Sequence, residues 1–173
     1  MDSLAMEVMK HLPFVPNEQQ ALVVASMCSF VEKGGDRDAF VLNGYAGTGK
    51  TSLVGALIKT LTELKKPVVL LAPTGRAAKV ASSLAGFPAS TIHRKIFRPL
   101  SSDPSGASWY IAKNEHRDTL FIIDEASLIQ DSAGGGGGLL GQVVRYIYSA
   151  PGCRMMLVGD EAQLPPVGQA EST

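Results

Sequence analysis

The sequence has few cysteines, no excess of charge and no long apolar run, and each absence excludes a class of protein. Cys28 and Cys153 are the only cysteines among 173 residues. They lie far apart without metal-ligand spacing, so we expect reduced core residues of a cytoplasmic protein rather than a disulfide scaffold. No stretch approaches the roughly 20 apolar residues of a membrane span. Residues 1–13 lack the basic start and apolar run of a signal peptide.

The composition that is present favours a folded domain. The chain is 45% hydrophobic and 18% charged, which suits one domain with a sizeable core. A formal net charge of zero neither indicates nor excludes a nucleic-acid partner, because a local basic patch does not show in the total.

Residues 44–51, GYAGTGKT, match the phosphate-loop pattern Gly-x-x-x-x-Gly-Lys-Ser/Thr. The sequence predicts a buried strand at 39–43 before the motif and a helix at 52–66 after it. One face of that helix carries Leu53, Leu57, Leu61 and Leu64. The glycines let successive N–H groups point into a concavity that suits phosphate oxygens, and the helix start adds partial positive charge. Lys50 would then reach the phosphates and the Thr51 hydroxyl would hold Mg²⁺. The alternative is an ordinary Gly-rich turn with an exposed lysine.

Alternating strands and helices continue along the chain and predict a mostly parallel sheet with helices on both faces. Further strands are predicted at 68–72, 120–124 and 154–160. Further helices are predicted at about 4–12, 17–33, 74–86, 91–97 and 139–149. Asn17 and Gln20 resemble a capping box, Thr74 is a plausible N-cap, and the glycine run at 133–138 is expected to be a disordered loop.

Polar residues follow the predicted strand ends, where parallel sheets bind ligands. Asp124 is suited to a Mg²⁺ site and Glu125 to activating water, although both residues could simply cap the next helix. Asp160 and Gln163 follow the last strand. Gln163 could contact the γ-phosphate, or it could be an ordinary loop amide.

Residues 98–118 have a weak pattern, with a Ser-, Pro- and Gly-rich loop and a possible short strand at Trp109–Ile111. The two aromatic side chains, Trp109 and Tyr110, are equally compatible with stacking on bases and with a small local core.

Five segments together resemble the first RecA-like domain of a superfamily 1 DNA helicase of the RecD-like and Pif-type branch. These segments are 44-GYAGTGKT-51, 72-APTGRAAK-79, 91-TIH-93, 123-IDEAS-127 and 159-GDEAQLPPVG-168. The resemblance implies an α/β, RecA-like P-loop NTPase fold. It divides the chain into a motor domain at 1–97 and 119–173 and a small inserted hairpin at 98–118. It also implies ATP and Mg²⁺ as cofactors, and a cytoplasmic protein that is nucleoid-associated if bacterial.

The resemblance assigns roles to the nucleotide-site residues. Lys50, Glu125 and Gln163 are expected to be catalytic, and Thr51 and Asp124 to hold the metal. The residues expected to contact nucleotide are Gln19, Gly44, Ala46, Gly47, Thr48, Gly49, Lys50, Thr51 and Ser52. Gln19 matches the glutamine that reads adenine, with Gln20 as the alternative. The family usually has Thr or Ser at the position of Val15, so that cap is expected to be absent.

Single-stranded DNA is the implied substrate, with 5′ to 3′ movement. The residues expected to contact it are Pro73, Thr74, Gly75, Arg76, Thr91, His93, Trp109 and Tyr110. Thr74 and His93 also have ordinary structural explanations, as a helix cap and as a helix histidine.

The family's second RecA-like domain and its arginine finger are not in the 173 residues. We therefore expect this chain alone to be monomeric, to bind nucleotide weakly, to hydrolyse it slowly and not to unwind DNA. Two other functions are considered. Intact Glu125 and Gln163 count against a regulatory nucleotide-binding module, which would need neither. A translocase without strand separation stays open and would be distinguished by Trp109→Ala and Tyr110→Ala, which should abolish unwinding only if the hairpin separates strands.

Overall fold

The computed structural model describes residues 2–45, 47–129 and 138–160. The expectations for Ala46, for the glycine run at 133–137 and for Gln163 fall outside these ranges.

A five-stranded, fully parallel sheet forms the centre of the described chain. The described residues form seven strands in all, five in this sheet and two in a separate hairpin. They are β1 (Ala39–Gly44), β2 (Val68–Ala72), β3 (Ala89–Thr91), β4 (Phe97–Pro99), β5 (Trp109–Ile111), β6 (Leu120–Ile123) and β7 (Arg154–Asp160). The order across the sheet is β1-β7-β6-β2-β3, while β4 and β5 form a separate antiparallel hairpin. The register aligns Gly44 with Asp160 and Leu71 with Ile123, so these strands end at one edge.

Helices connect the strands, as parallel pairing requires. They are α1 (Ser3–Lys10), α2 (Glu18–Lys33), α3 (Lys50–Glu63), α4 (Gly75–Ala85), α5 (Ile92–Ile96) and α6 (Leu139–Tyr148), with a 3₁₀ turn at Ala126–Leu128. The predicted caps are confirmed. Asn17 and Gln20 form a reciprocal capping box, the Thr74 side chain accepts a hydrogen bond from the Ala77 N–H, and Gly86 ends α4 in the left-handed conformation.

The sheet is covered on both faces, which confirms the predicted fold class. In one core, side chains of α1, α2 and α3, such as Leu57, pack on side chains of the sheet, such as Met156. The other contains side chains of α5 and α6, including Ile147, packed on Phe121 and Ile123. Cys28 and Cys153 are free and buried, one in each core. Along the described ranges, no helix combines the length and apolarity needed to cross a bilayer.

Several sequence predictions of detail were wrong. Leu64, which was assigned to the apolar face of the helix after the phosphate loop, is exposed. In α2 the sequence predicts an apolar face that includes Leu22 and Met27; Met27 is buried together with Val24 and Cys28, but Leu22 is exposed. Strand β3 was not predicted, because three residues carry too little pattern. In addition, β1 is an edge strand in the described sheet, and its Val41 side chain is 56% exposed.

Candidate nucleotide-binding site

The phosphate-loop motif forms the turn between β1 and α3. Gly47 and Gly49 have φ values of 81° and 88°, a region that only glycine adopts at little cost. The Thr48 hydroxyl and N–H both donate to the Tyr45 carbonyl, which closes the turn. The loop therefore has the compact backbone that brings several N–H groups to one concave surface.

Lys50 and Thr51 are the first residues of α3. The Lys50 ammonium donates to the carbonyls of Gly44 and Tyr45, at the mouth of the loop. Thr51 is exposed and Ser52 is half-buried, so the Thr51 hydroxyl is accessible from solvent. The start of α3 thus places a cation, two hydroxyls and free helix N–H groups beside the loop.

Asp124 and Glu125 follow the last residue of β6. Asp124 is held in place from both sides, since its N–H donates to Leu71 O and its Oδ1 accepts the Glu125 N–H. Burial raises the pKa of the Asp124 carboxyl, while that hydrogen bond and the charge of Lys50 act in the opposite direction. Glu125 is exposed and has a left-handed backbone with φ of 53°, an uncommon conformation for a non-glycine residue that is often found at functional sites.

The phosphate loop and both carboxylates line one cavity of about 430 Å³. Its lining consists of Tyr45, Gly47, Thr48, Gly49, Lys50, Thr51, Ser52, Val80, Leu84, Asp124, Glu125, Ser127, Val158, Gly159 and Asp160. The predicted convergence at the carboxyl ends of the strands is therefore present for β1, β6 and β7. Val80 and Leu84 were not predicted to lie here. They are four residues apart on the outward face of α4, which the sequence could have indicated.

The two glutamines at the start of α2 differ in their contacts. Both line a second cavity of about 450 Å³, on which the phosphate loop also borders. Gln19 is exposed, whereas the Gln20 side chain accepts from Asn17 N and donates to Thr48 O. Val15, where the family usually has Thr or Ser, is exposed and precedes α2, and the predicted cap Asn17 starts the helix.

The residues expected to contact DNA fall into two groups. Pro73, Thr74, Gly75 and Arg76 follow β2 and open α4. Farther along, Thr91, His93, Arg94, Phe97 and Trp109 line a cavity of about 620 Å³ between α5 and the hairpin. Thr91 also caps α5 by accepting the Arg94 N–H. The sequence did not single out Arg94 or Phe97.

The hairpin aromatics are both on the surface rather than in a local core. Trp109 is 58% exposed and Tyr110 is 50% exposed. Trp109 lines the cavity with His93, and the lining does not include Tyr110. Neighbouring strand residues point to opposite faces, which explains why only one of the two rings reaches this cavity.

Fold and site together define a P-loop nucleotide-binding protein, and comparison with known families agrees. Residues 16–172 match the family described as "AAA domain", and the chain belongs to that family, whose members use nucleotides. The resemblance to the first domain of RecD-like and Pif-type helicases is confirmed by the relatives that follow.

Two curated relatives are ATP-dependent DNA helicases. The chain is 32% identical over 153 residues to the RecD2 DNA helicase of Deinococcus radiodurans, covering 88% of this chain and 20% of the relative. It is 30% identical over 140 residues to the DNA helicase dda of Enterobacteria phage T4, covering 76% of this chain and 29% of the relative. The crystal structure of Pif1 helicase from Candida albicans superposes with a TM-score of 0.54 at 23% identity, over 90% of this chain and 34% of that one. The chain therefore spans about a third or less of the length of these proteins.

Proposed function

We propose that this chain is the ATP-binding motor domain of an ATP-dependent DNA helicase that moves 5′ to 3′ on single-stranded DNA. The observation that carries the nucleotide part is the single cavity shared by Lys50, Thr51, Asp124 and Glu125. The DNA part is supported by the two relatives named as DNA helicases and by the exposed aromatic side chain beside His93.

The chain's own residues divide the work on ATP. The phosphate-loop N–H groups and Lys50 bind the phosphates. The donor set fits Mg²⁺, which prefers oxygen ligands, because the Thr51 hydroxyl and the Asp124 carboxylate border the same cavity. Magnesium held there would neutralise charge on the phosphates. Glu125 orients the attacking water and accepts its proton, Gln19 contacts the base, and Gln163 contacts the γ-phosphate.

Contacts with DNA are assigned to both groups of residues described above. The opening turn of α4, Pro73 to Arg76, offers a hydroxyl, helix N–H groups and a guanidinium to a backbone phosphate. Thr91 and His93 continue the contact, and Trp109 stacks on an unpaired base. We further propose that residues 98–118 act as a small inserted hairpin within a motor domain at 1–97 and 119–173. A second RecA-like domain of the whole protein would complete the ATP site.

Titration of the purified chain with Mg²⁺-ATP tests the nucleotide part. We expect measurable binding that Lys50→Ala abolishes, because the ammonium at the loop is the main cation facing the phosphates. Lys59→Ala is the matched control, since Lys59 is an exposed lysine of the same helix that does not line the cavity. Equal affinity of wild type and Lys50→Ala would refute the assignment of the site.

A further inference from the structure

The hairpin of β4 and β5 presents different side chains on its two faces. Arg98 lies opposite Tyr110, and Pro99 lies opposite Trp109. Residues opposite each other in an antiparallel pair share a face, and the next pair along uses the other face. The cavity beside α5 is lined by Trp109 but not by Arg98 or Tyr110. Arg98 and the half-exposed Tyr110 therefore lie on the hairpin face that is turned away from this cavity.

The Arg98 side chain is held in place by the end of α5. Its Nη1 donates to the carbonyls of Phe97 at 2.8 Å, Arg94 at 3.0 Å and Lys95 at 3.4 Å. A cation is favourable there, because the last carbonyls of a helix lack partners inside it. Within the described ranges, every hydrogen bond of Arg98 comes from Nη1. The Nε and Nη2 groups of an anchored guanidinium are thus available to an anion.

Lys95 is close to both Arg98 and His116. Burial lowers the pKa of the Lys95 ammonium, and the charge of Arg98 lowers it further. Burial also lowers the pKa of His116, and the charge of Lys95 acts in the same direction. In the part of the chain that the structure describes, no carboxylate forms an ion pair with any of these three residues, including the exposed neighbour Glu115. Two cations therefore repel each other here, and a bound anion would relieve that repulsion.

Each face of the hairpin thus combines an exposed aromatic ring with nearby cations. The cavity face has Trp109 with Arg94, and the other face has Tyr110 with Arg98 and the adjacent Lys95. Rings that stack on bases and cations that contact phosphates are the two features that bind a single strand of nucleic acid. Because the rings point to opposite faces, one strand that follows one face does not reach both of them.

We propose that Tyr110, Arg98 and Lys95 form a second strand-binding face, which takes the DNA strand displaced from a duplex. The strand along which the motor moves stays on the face of Trp109 and His93. This inference rests on the proposed function and adds a site for the second strand. The hairpin then lies between the two strands and contacts both of them.

The test measures binding of the purified chain to three fluorescent DNA probes by anisotropy. The probes are a single-stranded oligothymidine, a duplex with a 5′ oligothymidine tail, and a fork that carries an additional 3′ oligothymidine tail. We expect wild type to bind the fork more tightly than the tailed duplex. Lys95→Gln and Tyr110→Ala should each lower fork affinity by about two- to tenfold, the usual size for one lost polar or stacking contact. Affinity for the single strand should fall less.

The salt dependence of fork binding separates the charge of Lys95 from the ring of Tyr110. The slope of log affinity against log salt concentration should become shallower by about one for Lys95→Gln. Tyr110→Ala removes no charge and should leave the slope unchanged. Lys95→Arg keeps the charge and should restore both affinity and slope. Lys59→Ala, which removes an exposed lysine of α3, is the matched control and should behave as wild type.

Four results would overturn the inference. If wild type binds the fork no more tightly than the tailed duplex, the second strand has no site. If Lys95→Gln lowers single-strand affinity as much as fork affinity, Lys95 belongs to the path of the first strand. If neither Lys95→Gln nor Tyr110→Ala affects any probe, this face has only a structural role. If wild type binds none of the probes, the proposed DNA function fails first, and the second face fails with it.

Discussion

At the scale of single residues, the burial of the Asp124 carboxyl affects the stability of the folded chain. Burial raises the pKa of its carboxyl, so the charged form is less favourable in the folded chain than in the unfolded chain. The contribution of Asp124 to stability is therefore fully present below its unfolded pKa and is lost as the pH rises through its folded pKa. At neutral pH, the ionised carboxylate costs stability.

We predict that Asp124→Asn unfolds at a higher urea concentration than wild type at pH 7, and that the difference shrinks as the pH falls through the folded-state pKa. The same variant should lose ATP hydrolysis by at least about 100-fold in the whole protein, because metal stabilisation contributes several kcal/mol. Asp36→Asn, in an exposed turn, controls for loss of charge. A less stable Asp124→Asn variant at pH 7 would contradict this explanation.

Lys65 has a backbone conformation that suits glycine. It follows α3 with φ of 57°, and its N–H and that of Lys66 bond back to Thr62 O and Leu61 O, the pattern of a Schellman motif. We predict that Lys65→Gly raises the free energy of unfolding by about 0.5–1 kcal/mol, because it relieves the left-handed strain. Lys65→Ala keeps that strain and should give no gain. Urea unfolding of both variants checks this, and an equal effect would rule out the backbone as the cause.

At the scale of elements, the segment that returns from the hairpin to β6 is fastened to α6 by one buried side chain. Asn114 is 6% exposed, and its Nδ2 donates to Tyr146 O at 3.0 Å and Ile147 O at 3.2 Å. Its Oδ1 accepts the His116 N–H. The Asn114 amide thus adds a donor to two carbonyls in the last turn of α6, which also accept from the Ser149 hydroxyl and the Ala150 N–H.

We predict that Asn114→Ala lowers the free energy of unfolding by about 1–3 kcal/mol, because the His116 N–H loses its acceptor and the segment loses its hydrogen bonds to α6. Asn114→Asp should lower the free energy of unfolding at least as much, since it places a carboxylate oxygen against the carbonyl oxygens of Tyr146 and Ile147. Asn43→Ala, at an exposed position of β1, should stay within about 0.5 kcal/mol. Chemical denaturation monitored by circular dichroism would measure the free energy of unfolding of all three variants. An unchanged value for Asn114→Ala would contradict the prediction and indicate that water replaces the amide.

Most elements could be predicted from the sequence, because the strands are continuous apolar runs and the helices carry caps such as Asn17 and Thr74. The shared position of Lys50 and Asp124 followed from the rule on strand ends. Three features could not be predicted. β3 is too short to show a pattern, the exposure of Trp109 depends on how the hairpin packs, and the bond from Gln20 to Thr48 joins residues that no local pattern connects.

At the scale of the whole molecule, the two candidate sites lie at neighbouring strand ends. Asp124 N donates to Leu71 O of β2, and the next residue of β2, Ala72, is aligned with Thr91 at the end of β3. Leu71, which accepts the hydrogen bond from Asp124, and Ala72, which pairs with Thr91, are therefore consecutive residues of β2. Thr91 lines the same cavity as Trp109. The shared strand places the two sites on one rigid support.

We predict that Trp109→Ala weakens binding of a fluorescent single-stranded oligothymidine by about five- to 150-fold, because stacking contributes about 1–3 kcal/mol per base. Tyr110→Ala, on the other face of the strand, should have the smaller effect. Fluorescence anisotropy at fixed salt would measure both, and unchanged melting temperatures would exclude unfolding as the cause. A larger loss with Tyr110→Ala would assign the contact to the opposite face.

β1, which leads into the phosphate loop, is an edge strand of the sheet. Within the described residues it hydrogen-bonds on one side only, to β7. Its outer N–H and C=O groups can accept another extended segment. A segment that joined there would stiffen the approach to the loop at a distance from the nucleotide. The open edge of β1 is thus a position outside the cavity where an added strand would pair with the backbone that enters the phosphate loop.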